Sequence, residues 1–262
     1  MIPILNEKKY VEDIINSSTL PEKMSVNSMI TYLTKYYYEK YDSTVDIVDA
    51  VCEQMNKFNI DIRYYQEYKG RSRATRICNA ISDGKLDLLR EYESIPLYKS
   101  EYDKIMSCEN DKEKKILFTL YIIARYTNKY GWVYNPRNEL FKLANISSTT
   151  KGYKEIIYNL LHKGLIKNTK KVDDTKIGVE LGSTTEEIIF EVSRINSLGN
   201  QFMAFIKDDY RLCECCDKLI KIKSNKDYST KYCKKCANEI KLEQTNACKI
   251  RKKSILEEKL NV

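Results

Sequence analysis

Apolar positions recur three and four residues apart through most of this chain and alternate with polar ones only in short stretches. That pattern predicts a mainly α protein with a few brief strands. In the first hundred residues, Lys9 to Ile15, Val26 to Tyr41 and Thr44 to Phe58 read as helices. Val26, Met29, Ile30, Leu33 and Tyr37 share one face of the second, and Val45, Val48, Val51, Cys52 and Met55 share one face of the third. The periodicity predicts an N-terminal helical bundle over residues 1–109, broken at Ser107 to Lys112. Tyr36, Tyr37 and Tyr38 sit at helical spacing and read as packing surface more than as a base-stacking platform. The arginines at Arg63, Arg71, Arg73 and Arg76 form a basic run that is either a solvated face or a phosphate contact.

Residues 110–198 carry a different order of elements. Lys114 to Tyr130 is helical, with Ile116, Leu117, Leu120, Ile123, Ala124 and Thr127 on its inward face, and Gly131 stops it. Trp132 to Tyr134 is a short extended piece. Asn135 and Pro136 then open a brief helix through Phe141, Leu143 and Ala144. Asn145 to Ser148 turns the chain into a third helix near Thr149, whose inward residues are Tyr153, Ile156, Ile157, Leu160 and Leu161. Past Gly164 the period changes: Leu165 to Lys170 and Lys176 to Leu181 flank Asp173 and Asp174 as a hairpin, and Glu187 to Val192 reads as a further strand. Helix, strand, helix, turn, helix and hairpin is the order of a winged helix-turn-helix. In that fold the third helix enters the major groove of double-stranded DNA by its N-terminal residues, with the hairpin wing against the backbone. Here those residues are Ser148, Thr149, Thr150, Lys151 and Lys154, and the wing supplies Lys167, Lys170 and Lys171.

The most specific signal comes last. Cys213 and Cys216 form one Cys-x-x-Cys pair, Cys233 and Cys236 a second, and sixteen residues lie between them. That gap is within the window of about 15–20 for a four-cysteine zinc site. Two such pairs close a tetrahedral shell of sulfurs around one structural Zn2+ and leave no open position for a substrate. A pair of disulfides or redox-active pairs is the alternative, disfavoured in a reducing compartment. Cys215 is an alternative ligand beside Cys216. Leu219 to Lys223 alternates as a strand, Ser224 to Asp227 supplies a turn, Tyr228 to Tyr232 returns as the second strand, and Cys236 onward has good helix formers. Knuckle, hairpin and helix make a treble-clef-like module over residues 211–245, preceded by a linker at 199–210 and followed by a basic tail at 246–262.

Composition narrows the function class. The formal net charge is +8, with 15 Lys plus Arg against 9 Asp plus Glu from Lys207 onward. Between Asn145 and Lys171 there are six lysines against the single acid Glu155. A positive field of this kind favours phosphate backbones, and lysine, unlike arginine, suits backbone contact better than guanine readout. No stretch approaches the roughly 18 apolar residues of a membrane span, and Met1 to Lys9 lacks a signal-peptide pattern, which predicts a cytoplasmic protein without a membrane partner. One histidine, His162, at the end of the third helix, cannot make a metal pair or a two-imidazole catalytic set. With no phosphate-loop glycine motif either, the chain is not expected to be an enzyme.

Lys8 to Ile14 with Leu20 to Lys23 and the tyrosine-rich second helix, Asn128 to Tyr134 with Glu139 to Ile146, Leu198 to Phe202, and Cys213 to Ile240 carry a resemblance. Together they resemble uncharacterised phage and mobile-element proteins of low-GC Gram-positive bacteria with a winged helix and a C-terminal four-cysteine zinc finger. The resemblance implies architecture and a host-cell setting more than mechanism. It departs at Asp217, where glycine is expected after the second cysteine. The expected function is a DNA-binding regulator of transcription or replication of phage or element DNA, acting as a monomer or a homodimer on a dyadic site. The alternative is a protein-binding adaptor or inhibitor that acts on a host enzyme or a phage protein.

Overall fold

The computed structural model describes residues 4–17, 19–21, 24–58, 67–147, 150–168, 176–222 and 230–260, with the side chains at 67, 68, 150, 151, 153 and 252–260 outside that description. The described residues are mainly helical, with small two- and three-stranded sheets. Two compact units divide at Ser94 and Ile95.

The first unit consists of α1 (Glu7–Ser17), α2 (Val26–Tyr38), α3 (Thr44–Lys57) and α4 (Glu67–Ser82). Ser25 and Ser43 cap α2 and α3, their hydroxyls accepting from the backbone of Ser28 and Val45. Val11, Met29, Ile30, Leu33, Val48, Val51, Met55, Ala74 and Ile77 fill the space between the helices. The apolar face of α3 is rotated from its expected position, with Ile47 buried and Val45 67% exposed. Helix α4 occupies the basic run, and its arginines bind within the unit. Arg71 pairs with Asp49 of α3, while Arg73 donates to the Asn27 carbonyl and the Thr31 hydroxyl of α2. The tyrosines pack as expected, Tyr36 edge-on to Tyr37 at 5.4 Å.

The second unit is built around α6 (Asp111–Thr127). Its Ile116 to Ala124 stretch is buried without interruption, so the helix is enclosed on all sides rather than on one face. Strands β1 (Ile95–Tyr98) and β5 (Ile188–Val192), helix α5 (Lys99–Met106) and helix α9 (Leu198–Ile206) pack around it. Phe202 of α9 stacks on Phe118 at 4.6 Å. A full burial of each such side chain contributes about 1.5–3 kcal/mol. Asn128 closes α6 in the left-handed conformation, one turn before the expected stop at Gly131.

A buried ion pair locks this arrangement. Glu101 is fully buried and accepts from Arg125 at 2.6 Å, from the Tyr98 backbone N–H at 3.1 Å and from the Gly182 N–H at 3.0 Å. Arg125 also donates to the Gly182 carbonyl and lies over the Tyr98 ring. Satisfying both charges in this way is what makes burial of the pair tolerable.

On the other side of α6 stand β2 (Trp132–Val133), α7 (Arg137–Leu143), α8 (Thr150–His162), β3 (Lys167–Asn168) and β4 (Ile177–Gly178). The three strands form an antiparallel sheet in the order β2-β4-β3. Ile156, Ile157 and Leu160 of α8 are buried as their spacing predicts, and Leu161 is half-buried. Glu113 of α6 anchors the far end of α8 by accepting from Asn159 and Lys163. His162 ends α8, exposed.

Two expectations differ from this architecture. The bundle stops at Ser94 and not at Glu109, because β1 and α5 belong to the second unit through pairing with β5 and packing on α6. Residues 199–210 are no linker: they include most of α9, whose Leu198 to Met203 are buried. The further strand expected at Glu187 to Val192 is β5, and its partner is β1, with Ile95 opposite Val192 and Leu97 opposite Phe190.

Candidate metal centre

The cysteine module begins with β6 (Tyr210–Leu212) and β7 (Leu219–Lys221), paired antiparallel with Leu212 opposite Leu219. The first Cys-x-x-Cys is the turn between these strands, so the hairpin encloses the knuckle instead of following it. The turn is closed by Cys213 N–H donating to the Lys218 carbonyl and Asp217 N–H to the Cys213 carbonyl. Asp217 has φ +54°, the left-handed backbone that explains why glycine is expected there. Segment 223–229, which carries the expected turn and part of the expected second strand, lies outside the described residues. The second pair opens α10 (Lys234–Leu260), as expected, and this helix extends through the predicted tail.

The Sγ atoms of Cys213, Cys216, Cys233 and Cys236 all lie within 4.8 Å of one another, so the four can hold one metal ion. Cys216 and Cys233 Sγ are 3.7 Å apart. A tetrahedron with metal–sulfur bonds of about 2.3 Å has edges of roughly 3.8 Å. A disulfide requires about 2.05 Å, and all nine cysteines are free thiols. Cys215 is exposed and is not one of the four clustered sulfurs. Cys213, Cys233 and Cys236 are buried against half-buried Ile220 and Tyr232.

Backbone donors surround the sulfurs. Burial works against ionisation of Cys213, yet N–H groups of Cys233, Cys215 and Cys216 aimed at its sulfur outweigh that and bring its pKa down to about 6. The Cys236 N–H likewise lowers Cys233, whereas the neighbouring Cys216 and Cys233 thiols push Cys236 up. Four adjacent thiolates repel one another, and a divalent cation is what removes that repulsion.

A second layer of contacts ties the knuckle to the helical unit. The Asp217 carboxylate, 6% exposed, accepts from Arg194 at 3.1 Å and from Asn196 at 2.8 Å. Its carbonyl accepts from the Asn200 side chain at 3.0 Å. Gln201 holds the Arg194 and Asn196 carbonyls. Gly199 leaves room for close approach, since a Cβ there would collide with the Ala144 carbonyl. The Gly-Asn-Gln sequence thus fastens α9 to the turn after α7 and to the cysteine knuckle at once. These anchors, and Asp217 above all, escape sequence reasoning, for which Asp217 is only a departure from glycine.

No protein-family model, curated protein or solved structure matches this chain.

The residues expected at DNA are placed only in part. Thr150 and Lys151 open α8, while Ser148, Thr149, Lys170 and Lys171 lie outside the described residues. Lys154 is exposed on α8, and Lys167 is exposed on β3. Tyr158, one turn beyond Lys154, is 66% exposed. Among the described residues no helix is long and apolar enough to cross a membrane.

Proposed function

We propose that this is a DNA-binding protein in which α6, β2, α7, α8, β3 and β4 form a winged helix-turn-helix and the cysteine module holds one structural Zn2+. The observation that carries the reading is the joint arrangement of α8 and the four sulfurs. Helix α8 buries Ile156, Ile157 and Leu160 while Lys154 and Tyr158 face outward, and strands β3 and β4 follow it in a sheet with β2. This is the order in which a recognition helix and wing present themselves to a major groove and its flanking phosphates.

Zinc is the metal favoured by four thiolates in two Cys-x-x-Cys turns, because soft sulfur ligands in tetrahedral geometry select it over harder cations. The shell is closed, so the ion stabilises the module and is assigned no bond-breaking role. Lysine at the contact positions supports backbone binding, and control of transcription or replication of phage or mobile-element DNA is the function this reading assigns. Titration of sheared duplex DNA at two salt concentrations tests it. Affinity is expected to fall steeply with ionic strength. DNA binding at background while another protein co-purifies stoichiometrically would replace this reading with that of an adaptor.

A further inference from the structure

A cavity of about 220 Å³ lies in the second unit, outside both the cysteine cluster and the outward face of α8. Its walls come from four elements. The first turn of α6 contributes Asp111, Lys112 and Lys115, α9 and its C-terminus contribute Met203 and Lys207, and the turn between α7 and α8 contributes Asn145 to Ser147. The β6–β7 hairpin closes it with Tyr210 and Leu219.

Three lysines and one carboxylate, Asp111, thus line the cavity. Lys207 pairs with Asp111. Lys115 donates to the neutral Asn200 amide oxygen at 3.2 Å, while the Asp111 carboxylate acts on it at longer range. We propose that this cavity is a binding site for a phosphate group, held by Lys115 with Lys112 and Lys207.

At about 220 Å³ the cavity is smaller than the roughly 300–1,000 Å³ pockets that enclose cofactor-sized molecules and has room for one tetrahedral oxyanion. Charge gives the sign, because low-dielectric walls concentrate the field of the lysines inside the cavity. Burial lowers the pKa of Lys115 against the opposing effect of Asp111, and Lys207 lowers it further. A bound phosphate reverses that penalty.

The location gives the site a consequence. Asn200 touches Lys115 with its amide oxygen and the Asp217 carbonyl with its amide N–H groups, and Asn145 reaches Ser197 and the Asn200 backbone. A phosphate here braces the α7–α8 turn, which leads into the proposed DNA-reading helix, against the cysteine module. Two sources share this chemistry: free phosphate and a phosphodiester of bound DNA.

The test is calorimetric titration of the full, metal-loaded chain with inorganic phosphate at constant ionic strength, for the unaltered protein and for Lys115→Met. The methionine keeps the apolar stem and removes the charge. Saturable binding that weakens about tenfold or more in the variant supports the site, as expected for a lost charged hydrogen bond. The exposed Lys112→Gln is a second variant, which keeps the experiment decisive should Lys115→Met unfold. If free phosphate does not bind but both variants lower the salt slope of DNA binding by about one, the source is the DNA backbone. Only this second arm rests on the DNA reading. Phosphate binding that both variants leave unchanged, or neither phosphate binding nor a change in slope, overturns the proposal.

Discussion

The core around α6 and the knob around the four cysteines solve the same problem by different means. In the core, Phe118, Tyr121, Leu117, Leu120 and Phe202 exclude water completely, and stability comes from apolar area. In the knob, the buried apolar cluster among the described residues is three cysteines with half-buried Ile220 and Tyr232 beside them, too little to hold a hairpin and a helix end together. The first region is expected to fold without an ion and the second to depend on one.

The sharpest way to break that contrast is to remove a ligand. Cys213→Ala should abolish the metal site and unfold residues 210–240, since structural zinc contributes apparent binding free energies of about 10–16 kcal/mol to such modules. Hydrogen exchange read segment by segment checks it, with α6 amides expected to stay protected. Metal affinity, followed by chelator competition, should fall as pH is lowered, because protons compete with the ion for thiolate.

The converse change lies in the core. Phe202→Ala should cost about 3–5 kcal/mol of unfolding free energy in denaturant titration while the purified chain retains its metal. Smaller still is Asp217→Ala, which removes the acceptor for Arg194 and Asn196 and strains a left-handed backbone. Loss of a contact that orients a ligand turn weakens metal binding about 10–100-fold, and Asp217→Asn should lose less because asparagine tolerates this backbone. The mildest is Lys154→Glu. It should leave both regions folded and reduce the salt slope of DNA binding by about one.

What could be read in the sequence follows from how local each signal is. The four clustered cysteines lie in two short Cys-x-x-Cys stretches, and the helix after Cys233 has its formers in one run, so both are legible. The inward face of α8 follows from the three-and-four spacing of Ile156, Ile157 and Leu160. The three-and-four spacing in α6 predicts one buried face, but Ile116 to Ala124 contains scarcely a polar residue, and that continuity is the sign of a central helix. Helix α9 is only nine residues long, and its two polar side chains, Asn200 and Gln201, are too few to set a period that distinguishes it from a linker. In α4 the arginines suggested solvent, yet Arg71 and Arg73 bind α3 and α2 over separations of 22 and more than 40 residues. The Glu101–Arg125 pair and the Asp217 anchors likewise join distant positions, and no local pattern announces such pairs.

The measurement that tests the central claim most directly is zinc content of the purified chain coupled to hydrogen exchange before and after chelation. The account predicts one ion per chain, and on its removal loss of protection from Cys213 to Ala237 with α6 unchanged. A chain that contains no zinc and still protects the Cys213 to Asp217 turn would contradict it.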